Sequence, residues 1–170
     1  MAKDLIVKTP NTAAWGGLTF RCAIGSSGLV SPQAKTEGDG GTPIGKWPMR
    51  EIIYRADRLH LPRVSLPIRA MLPTDGWCEI PTDANYNKRV QHPYAVPVDE
   101  MWRDDYLYDI VVPLGYNDDP VIPGKGSAIF LHLARRDYAP SAGCVTLALD
   151  DLLTVLREAE AGSAVEIRAP

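Results

Sequence analysis

The stretch GSAIFLHLARRDYAPSAGCVTLA, residues 126–148, decides how this chain folds. Successive side chains of a strand point to opposite faces of the sheet. Alternation would separate small and aromatic side chains from large aliphatic ones: Ala128, Phe130, His132 and Ala134 against Ile129, Leu131 and Leu133. The sequence therefore predicts a core strand over residues 127–134, with a histidine near its end beside small residues that leave room for a substrate.

Cys144 follows His132 by twelve residues, which is enough for the chain to turn and return alongside the strand. Its turn, SAGC, would expose backbone N–H groups near the sulfur, as stabilisation of an acyl oxyanion requires. A thiol paired with an imidazole is an activated nucleophile. Spacing alone leaves two interpretations open: a catalytic pair, or a small buried thiol and an ordinary hydrogen-bonded histidine.

Most other apolar runs are short, rich in β-branched or aromatic residues, and separated by turn residues, which favours strands. These strands are predicted at residues 5–8, 18–24, 47–54, 106–114 and 164–168. Apolar residues, mostly leucine, recur at helical spacing over residues 151–160, with Asp150 as a candidate N-cap and Gly162 as a stop. We therefore expect a mainly β fold with one short helix in the C-terminal half.

Two connections, residues 31–46 and 61–98, are much longer than the ordinary loop of about 4–6 residues. Long connections of this kind are often lids or binding loops. We expect part of the second connection to cover a cleft.

Size and charge narrow the class of protein. The 170 residues, 45% of them hydrophobic, predict one domain spanning residues 1–170. A net charge of −3 without a basic segment argues against a nucleic-acid partner. The apolar core near the N-terminus, residues 5–7, is far shorter than that of a signal peptide, and no run approaches the ~20 apolar residues of a transmembrane helix. The sequence thus predicts neither an export signal nor a membrane span.

Other chemistries find little support. His60, His92 and His132 lie far apart and offer no local pair of metal ligands, so we expect no metal. The segment GGTPIGKW, residues 40–47, resembles a phosphate loop but ends in Trp and leads into a strand-like run. Its glycines are therefore interpreted as turn formers.

Three segments together closely resemble the L,D-transpeptidase catalytic domain, the YkuD-like family of peptidoglycan-crosslinking cysteine enzymes. They are KTEGDGGTPIGKW at residues 35–47, GSAIFLHLA at 126–134 and SAGCVTL at 141–147. In that family a T-P-x-G segment opens the domain, a histidine ends a core strand, and an S-x-G-C turn presents the nucleophile. The resemblance extends over residues 18–156 and favours the catalytic interpretation of Cys144.

The resemblance implies a β-sandwich or barrel with one short helix and long loops. It also implies that Cys144 attacks the carbonyl after the L-centre of diaminopimelate in a tetrapeptide stem, releasing D-alanine and leaving a thioester. An amine of a second stem peptide then forms the cross-link. His132 would be the acid and base, amides near Gly143 and Cys144 would hold the oxyanion, and Ser141 would shape the turn or support the histidine.

The same resemblance implies further properties of the protein. No metal or cofactor is needed, since the thioester carries the energy of the cleaved bond. The partners would be peptidoglycan stem peptides, the protein a monomer and a carbapenem target, and its role cell-wall biogenesis and cell shape. Its place would be the periplasm or the cell wall, although the sequence predicts no leader.

This chain departs from the family pattern after the nucleophile, which suggests a divergent branch. Thr146 stands where relatives commonly have Arg or Asn, so a usual partner of the substrate is replaced. Arg135 is a candidate replacement cation, and Tyr116 and Asn117 are candidate polar contacts. Two alternatives stay open: an L,D-carboxypeptidase or amidase with water as acceptor, and a catalytically silent wall-binding module.

Overall fold

The computed structural model describes residues 1–170, with Thr9 described by its backbone alone. Within the described residues the chain forms fifteen strands and one α-helix. In chain order the strands are Leu5–Thr9 (β1), Thr12–Trp15 (β2), Leu18–Ala23 (β3), Leu29–Val30 (β4), Thr42–Pro43 (β5), Gly45–Pro48 (β6), Ile52–Tyr54 (β7), Ile68–Ala70 (β8), Asp75–Trp77 (β9), Arg89–Gln91 (β10), Asp99–Glu100 (β11), Ile110–Pro113 (β12), Phe130–Leu133 (β13), Val145–Leu147 (β14) and Ala164–Ile167 (β15). The helix, α1, is Leu149–Glu158 and lies between β14 and β15.

Ten strands form one curled sheet in the order β6-β15-β1-β2-β3-β14-β13-β12-β7-β8. Most neighbours are antiparallel, whereas β1 with β15, β7 with β8 and, at the centre, β13 with β14 run parallel. Smaller sheets contain β10-β9-β11 and β4-β5. The expectation of a mainly β fold with one short helix is confirmed for the described residues.

Some predicted strands are shorter or divided in the structure. The run over residues 47–54 is two strands, β6 and β7, because the chain changes partner after Pro48: β6 pairs with β15, whereas β7 pairs with β12 and β8. A proline has no N–H to continue a ladder. The long connection 61–98 also contains strands, including β9 and β10 of the three-stranded sheet.

The helix begins two residues earlier than its leucine pattern predicted. Ala148 occupies the N-cap position and makes no side-chain capping bond, so the prediction of Asp150 as N-cap is wrong. Asp150 and Asp151 instead lie in the first turn, where their negative charge is favourable to the helix dipole. Leu152, Val155 and Leu156 are fully buried against the sheet side of the core.

The two faces of β13 pack into different clusters, as the alternation predicted. Leu131 and Leu133 belong to the large aliphatic core that also contains the helix residues. Phe130 lies on the other face, in a second cluster that includes Ala128 and Cys144. This second face is the one that carries His132, so the strand separates the main core from the site.

Candidate active site

His132 and Cys144 are brought together by the parallel pairing of β13 with β14. The register places Leu131 opposite Val145 and His132 opposite Thr146, so Cys144 lies just before the start of the adjacent strand. Both side chains line one cavity of ≈ 560 Å³. The return of the chain beside its own strand, predicted from the spacing, is what the structure has.

The turn that presents Cys144 is held by Ser141. The Ser141 hydroxyl donates to the carbonyl of Cys144 at 2.6 Å, and the N–H of Gly143 donates to the same hydroxyl at 3.1 Å. Gly143 has φ of +143°, in the region that favours glycine. These two bonds hold the turn at residues 141–144 in shape.

A segment more than a hundred residues earlier fastens the turn from outside. The backbone N–H of Ser141 donates to Ile24 and that of Ser26 donates to Ser141, both at 2.9 Å. The Thr42 hydroxyl donates to the carbonyl of Gly143 at 2.8 Å and accepts from the N–H of Gly25 at 2.8 Å. The threonine of the T-P-x-G segment thus connects the early loop to the nucleophile turn.

Gly25 sits where there is no room for a side chain. A Cβ at this position would lie 2.2 Å from the carbonyl oxygen of Gly40 and 2.9 Å from the Cα of Gly143. Both distances are below contact, and both neighbours are backbone atoms that cannot turn away. Close approach of three backbone segments therefore requires glycine here.

The Cys144 thiol is hydrogen-bonded to the backbone rather than to the imidazole. Its Sγ donates to the carbonyl of Ala128 at 3.1 Å and accepts the N–H of Phe130 at 3.4 Å. Burial raises the pKa of the thiol to about 12. The negative charges of Asp99 and Glu79 contribute to the same rise, so the thiol is neutral.

His132 is buried and neutral. Its pKa is lowered to about 4, mainly by burial. Hydrogen bonds to the carbonyls of Leu133 and Leu107 raise the pKa, and the positive charges of Arg103 and Arg135 lower it. Its Nδ1 lies 3.0 Å from the carbonyl oxygen of Leu133. Because a carbonyl oxygen only accepts, Nδ1 carries the ring proton in this bond and Nε2 is the basic nitrogen.

The imidazole is also fixed by an aromatic neighbour. The ring of Tyr108 packs edge-to-face on His132 at 5.1 Å and on Phe130 at 5.9 Å, and the Tyr108 hydroxyl donates to Asp99 at 2.9 Å. Burial raises the pKa of Tyr108 well above its ordinary value. Tyr108 therefore links the His132 imidazole to a carboxylate of the cavity wall while remaining neutral.

Asn87 fixes the carbonyl that holds the thiol. Its Oδ1 accepts from the N–H of Ala128 at 3.0 Å and from the Trp77 indole at 2.9 Å. Its Nδ2 donates to the carbonyls of Tyr116 and Asn117 at 3.2 and 2.7 Å. Asn87 has φ of +56° and Ala128 has φ of +54°, so this network holds two residues in an uncommon backbone conformation.

Two of the four predicted substrate contacts reach the cavity. Arg135 and Thr146 line it, and the Thr146 hydroxyl is buried without a hydrogen-bond partner. Tyr116 and Asn117 lie outside it, since the Tyr116 hydroxyl donates to the carbonyl of Lys125 and the Asn117 amide bonds the backbone of Ile122. The structure uses these two side chains to hold the loop before β13.

The cavity also has polar walls that the spacing of motifs did not reveal. Six charged or aromatic side chains join the predicted residues there: Lys35, Glu37, Glu79, Asp99, Arg103 and Tyr108. Lys35 and Glu37 belong to the KTEGDGG segment, so their place near T-P-x-G was the one available signal. Glu79 comes from the long connection 61–98, part of which indeed borders the cleft.

Comparison with known families fits this geometry. A family model described as the L,D-transpeptidase catalytic domain, YkuD, matches residues 6–167. The chain therefore belongs to the YkuD family of L,D-transpeptidase catalytic domains, whose members are cysteine-dependent transpeptidases that act on peptidoglycan. No curated protein and no solved structure matches the chain. Among the described residues, no helix is long and apolar enough to cross a membrane.

Proposed function

We propose that this protein is a peptidoglycan L,D-transpeptidase that cross-links stem peptides through a thioester on Cys144. One observation carries the proposal: in a chain of this family, Cys144 and His132 line the same cavity on neighbouring parallel segments. The substrate lies outside the cytoplasmic membrane, so the proposal places the protein in the periplasm or at the cell wall.

The first step forms the acyl-enzyme. The Cys144 sulfur attacks the carbonyl carbon after the L-centre of diaminopimelate, and its proton passes to Nε2 of His132. The C–S bond forms and the C–N bond to the terminal D-alanine breaks. The imidazolium then gives its proton to the leaving amine, so D-alanine departs neutral at nitrogen and His132 is restored.

Substrate entry has to change the surroundings of the thiol. The thiol donates a hydrogen bond to the Ala128 carbonyl, and burial opposes charge on both Cys144 and His132. A bound stem peptide would displace the bond to Ala128, and proton transfer to His132 would then accompany attack. The neutral pair suits this order, because the neutral imidazole is the form that accepts a proton.

The turn supplies the oxyanion contacts in this proposal. The N–H groups of Gly143 and Cys144 would hold the developing negative charge on the substrate oxygen. In the unliganded site the Gly143 N–H donates to Ser141. This bond would be exchanged for one to the oxyanion, while the bond from Ser141 to the Cys144 carbonyl keeps the turn in shape.

The second step transfers the acyl group to an amine of another stem. The C–N bond of the cross-link forms, the C–S bond breaks, and one proton of the amine passes through His132 to the sulfur. Arg135 and Thr146 remain the proposed substrate contacts, since both line the cavity. Tyr116 and Asn117 have no role in the proposal.

Purified muropeptides test the proposal when their products are analysed by mass spectrometry. We expect cross-linked dimers and free D-alanine from the wild type, none from Cys144→Ala, and full activity from Cys78→Ala, which removes another buried thiol. Trimmed monomers alone would contradict transfer and identify water as the acceptor. A wild-type chain with neither product nor a carbapenem adduct on Cys144 would be a silent wall-binding module.

A further inference from the structure

One wall of the catalytic cavity is acidic. Glu37, Glu79 and Asp99 come from three separate segments of the chain and line the cavity that contains Cys144. Asp99 and Glu79 both act on the thiol electrostatically, since their negative charges raise the pKa of Cys144. These three residues, called the acidic wall below, therefore share one cavity with the sulfur.

Among the described residues, no side-chain cation forms an ion pair with the acidic wall, although the charge of Arg103 acts on Asp99 and opposes the rise of its pKa. Glu37 accepts hydrogen bonds from the hydroxyls of Tyr86 and Ser127 at 2.6 and 2.5 Å, and Asp99 accepts one from the Tyr108 hydroxyl. These donors are neutral. Glu79 has no hydrogen bond or ion pair among the described residues, and burial and the charges of Asp99 and Glu37 raise its pKa to about 7.

Three basic side chains also line the cavity, and two of them form ion pairs with other carboxylates. Lys35 donates to Asp39 at 2.6 Å, and Arg103 forms a two-pronged pair with Asp105 at 2.6–2.8 Å. Neither Asp39 nor Asp105 lines the cavity. The third, Arg135, forms no ion pair among the described residues, so no cation directly contacts Glu37, Glu79 or Asp99 and an entering cation can do so.

Thr146 provides an independent sign of a missing ligand. The residue is 3% exposed, lines the same cavity, and its Oγ1 has no hydrogen-bond partner. A buried hydroxyl without a partner costs about 1–3 kcal/mol. Such a group in a cavity beside the catalytic histidine is explained by a polar substrate atom that completes it.

A metal ion does not fit the acidic wall. Among the described residues, no three or more His, Cys, Asp or Glu side chains are placed to hold one together. An ammonium group needs no such cage, because one carboxylate can accept one of its three N–H groups while the others act on it through their negative charge.

We infer that the acidic wall formed by Glu37, Glu79 and Asp99 binds the protonated primary amine of the acyl acceptor, and that Thr146 bonds a polar atom of the same bound peptide. This inference rests on the proposed function. It adds the class of group that the site selects for the second step, an alkylammonium, and the residues that select it.

The acidic wall also completes the proton balance of that step. The bound ammonium first gives one proton to a carboxylate of the acidic wall, since only the neutral amine has a free electron pair. The amine then attacks the thioester carbon, the C–N bond forms and the C–S bond breaks. A second proton passes through His132 to the sulfur, and the third stays on the new amide.

Binding can be measured without any chemistry in the Cys144→Ala protein. The probe is diaminopimelate, compared with pimelate, which has the same carbon chain and no amine. We expect calorimetry to detect diaminopimelate and not pimelate, and Glu79→Gln or Asp99→Asn to weaken its binding by about tenfold or more. Glu100→Gln, the neighbouring exposed carboxylate, is the matched control and should leave binding unchanged.

The acyl-enzyme can react with hydroxylamine or with an amine-bearing stem. Comparing the two products tests this inference separately from the proposed function. Hydroxylamine is a neutral nucleophile at pH 7.5 and has no need of an ammonium site. In Glu79→Gln the hydroxamate measures how much thioester forms. Relative to that amount, we expect the variant to need about tenfold more amine-bearing stem for half-maximal cross-linking. Equal binding of diaminopimelate by Glu79→Gln, Asp99→Asn and Glu100→Gln would overturn the inference, whereas failure of the wild type to form a thioester would contradict the proposed function.

Discussion

The hydroxyl of Thr42 donates a 2.8 Å hydrogen bond to the carbonyl of Gly143, across 101 residues of sequence. The same hydroxyl accepts the N–H of Gly25, so one buried side chain satisfies two backbone groups of different loops. Thr42 therefore holds the turn at residues 141–144 in place through its hydrogen bonds to the backbone.

Thr42→Val removes this hydroxyl while keeping the shape of the side chain. It leaves the Gly143 carbonyl and the Gly25 N–H without their partner, and we expect a loss of about 1–3 kcal/mol in unfolding free energy. Acylation of Cys144 should slow, because the turn loses its outer support. Urea denaturation and the rate of carbapenem adduct formation measure the two effects. Thr19→Val, at an exposed strand position, should change neither; equal effects of both variants would contradict this role.

Gly25→Ala tests the close approach of the three backbone segments. The added Cβ meets backbone atoms of Gly40 and Gly143, so we expect a loss of about 1–3 kcal/mol or more together with slower acylation. Gly17→Ala is the matched control, because nothing lies within 4 Å of its Cβ position. Thermal unfolding of both variants checks the prediction, which fails if Gly25→Ala is as stable as Gly17→Ala.

Asn87→Ala removes the support of Ala128 and, through it, of the thiol. Four hydrogen bonds are lost. An alanine, which has no polar side chain to bond the neighbouring backbone, is also left at φ of +56°. We expect destabilisation of several kcal/mol, about 1 kcal/mol for each bond. Asn85→Ala, an exposed neighbour with one side-chain bond to Tyr94, should cost far less. If chemical denaturation gives the two variants similar free energies of unfolding, Asn87 does not hold this network together.

His132 should make the protein less stable in acid. Its pKa is lowered from 6.5 to about 4 in the folded state, so the unfolded chain binds more protons between these values. The contribution of His132 to stability is complete above pH 6.5 and is lost as the pH falls towards 4, by about 3 kcal/mol. NMR titration of the imidazole resonances, assigned with His132→Gln, checks the pKa. A midpoint near 6.5 for His132 would contradict the prediction.

The resting thiol should react slowly with alkylating agents. A pKa of about 12 leaves little thiolate at pH 8, so we expect iodoacetamide to label Cys144 at least about a hundredfold more slowly in the folded protein than in the chain unfolded in guanidinium. Peptide mass spectrometry follows each cysteine separately. Fast labelling of Cys144 in the folded, unliganded protein would mean that the thiolate is already formed.

Local patterns were sufficient to predict the central part of the molecule. Alternation over residues 127–134 separates the buried Leu131 from the face that carries His132, and burial on both faces confirms it. Element boundaries were predicted less well, since Ala148 and not Asp150 precedes the helix. Propensity favours Asp as a cap, but it fixes a helix start only to within one or two residues, and Asp150 lies in the first turn.

The walls of the site could not be read from the chain. Glu37, Glu79 and Asp99 lie 42 and 20 residues apart and meet only through the long connections. Nothing local marks them, because an isolated acidic residue in a loop is usually a solvated one. Tyr116 and Asn117 were instead predicted to contact the substrate because their side chains are polar. In the structure these side chains donate hydrogen bonds to the backbone of the loop that follows them.

The parallel register of β13 and β14 ties the chemistry to the core. A slip of one residue would turn His132 into the aliphatic cluster and expose Leu131 or Leu133 in the cavity. The hydrophobic contacts that make the sheet stable therefore also set which side chain meets the substrate. Core substitutions that permit an alternative register would move His132 out of the cavity without replacing it, so Leu131 and Leu133 constrain the site as much as the histidine between them.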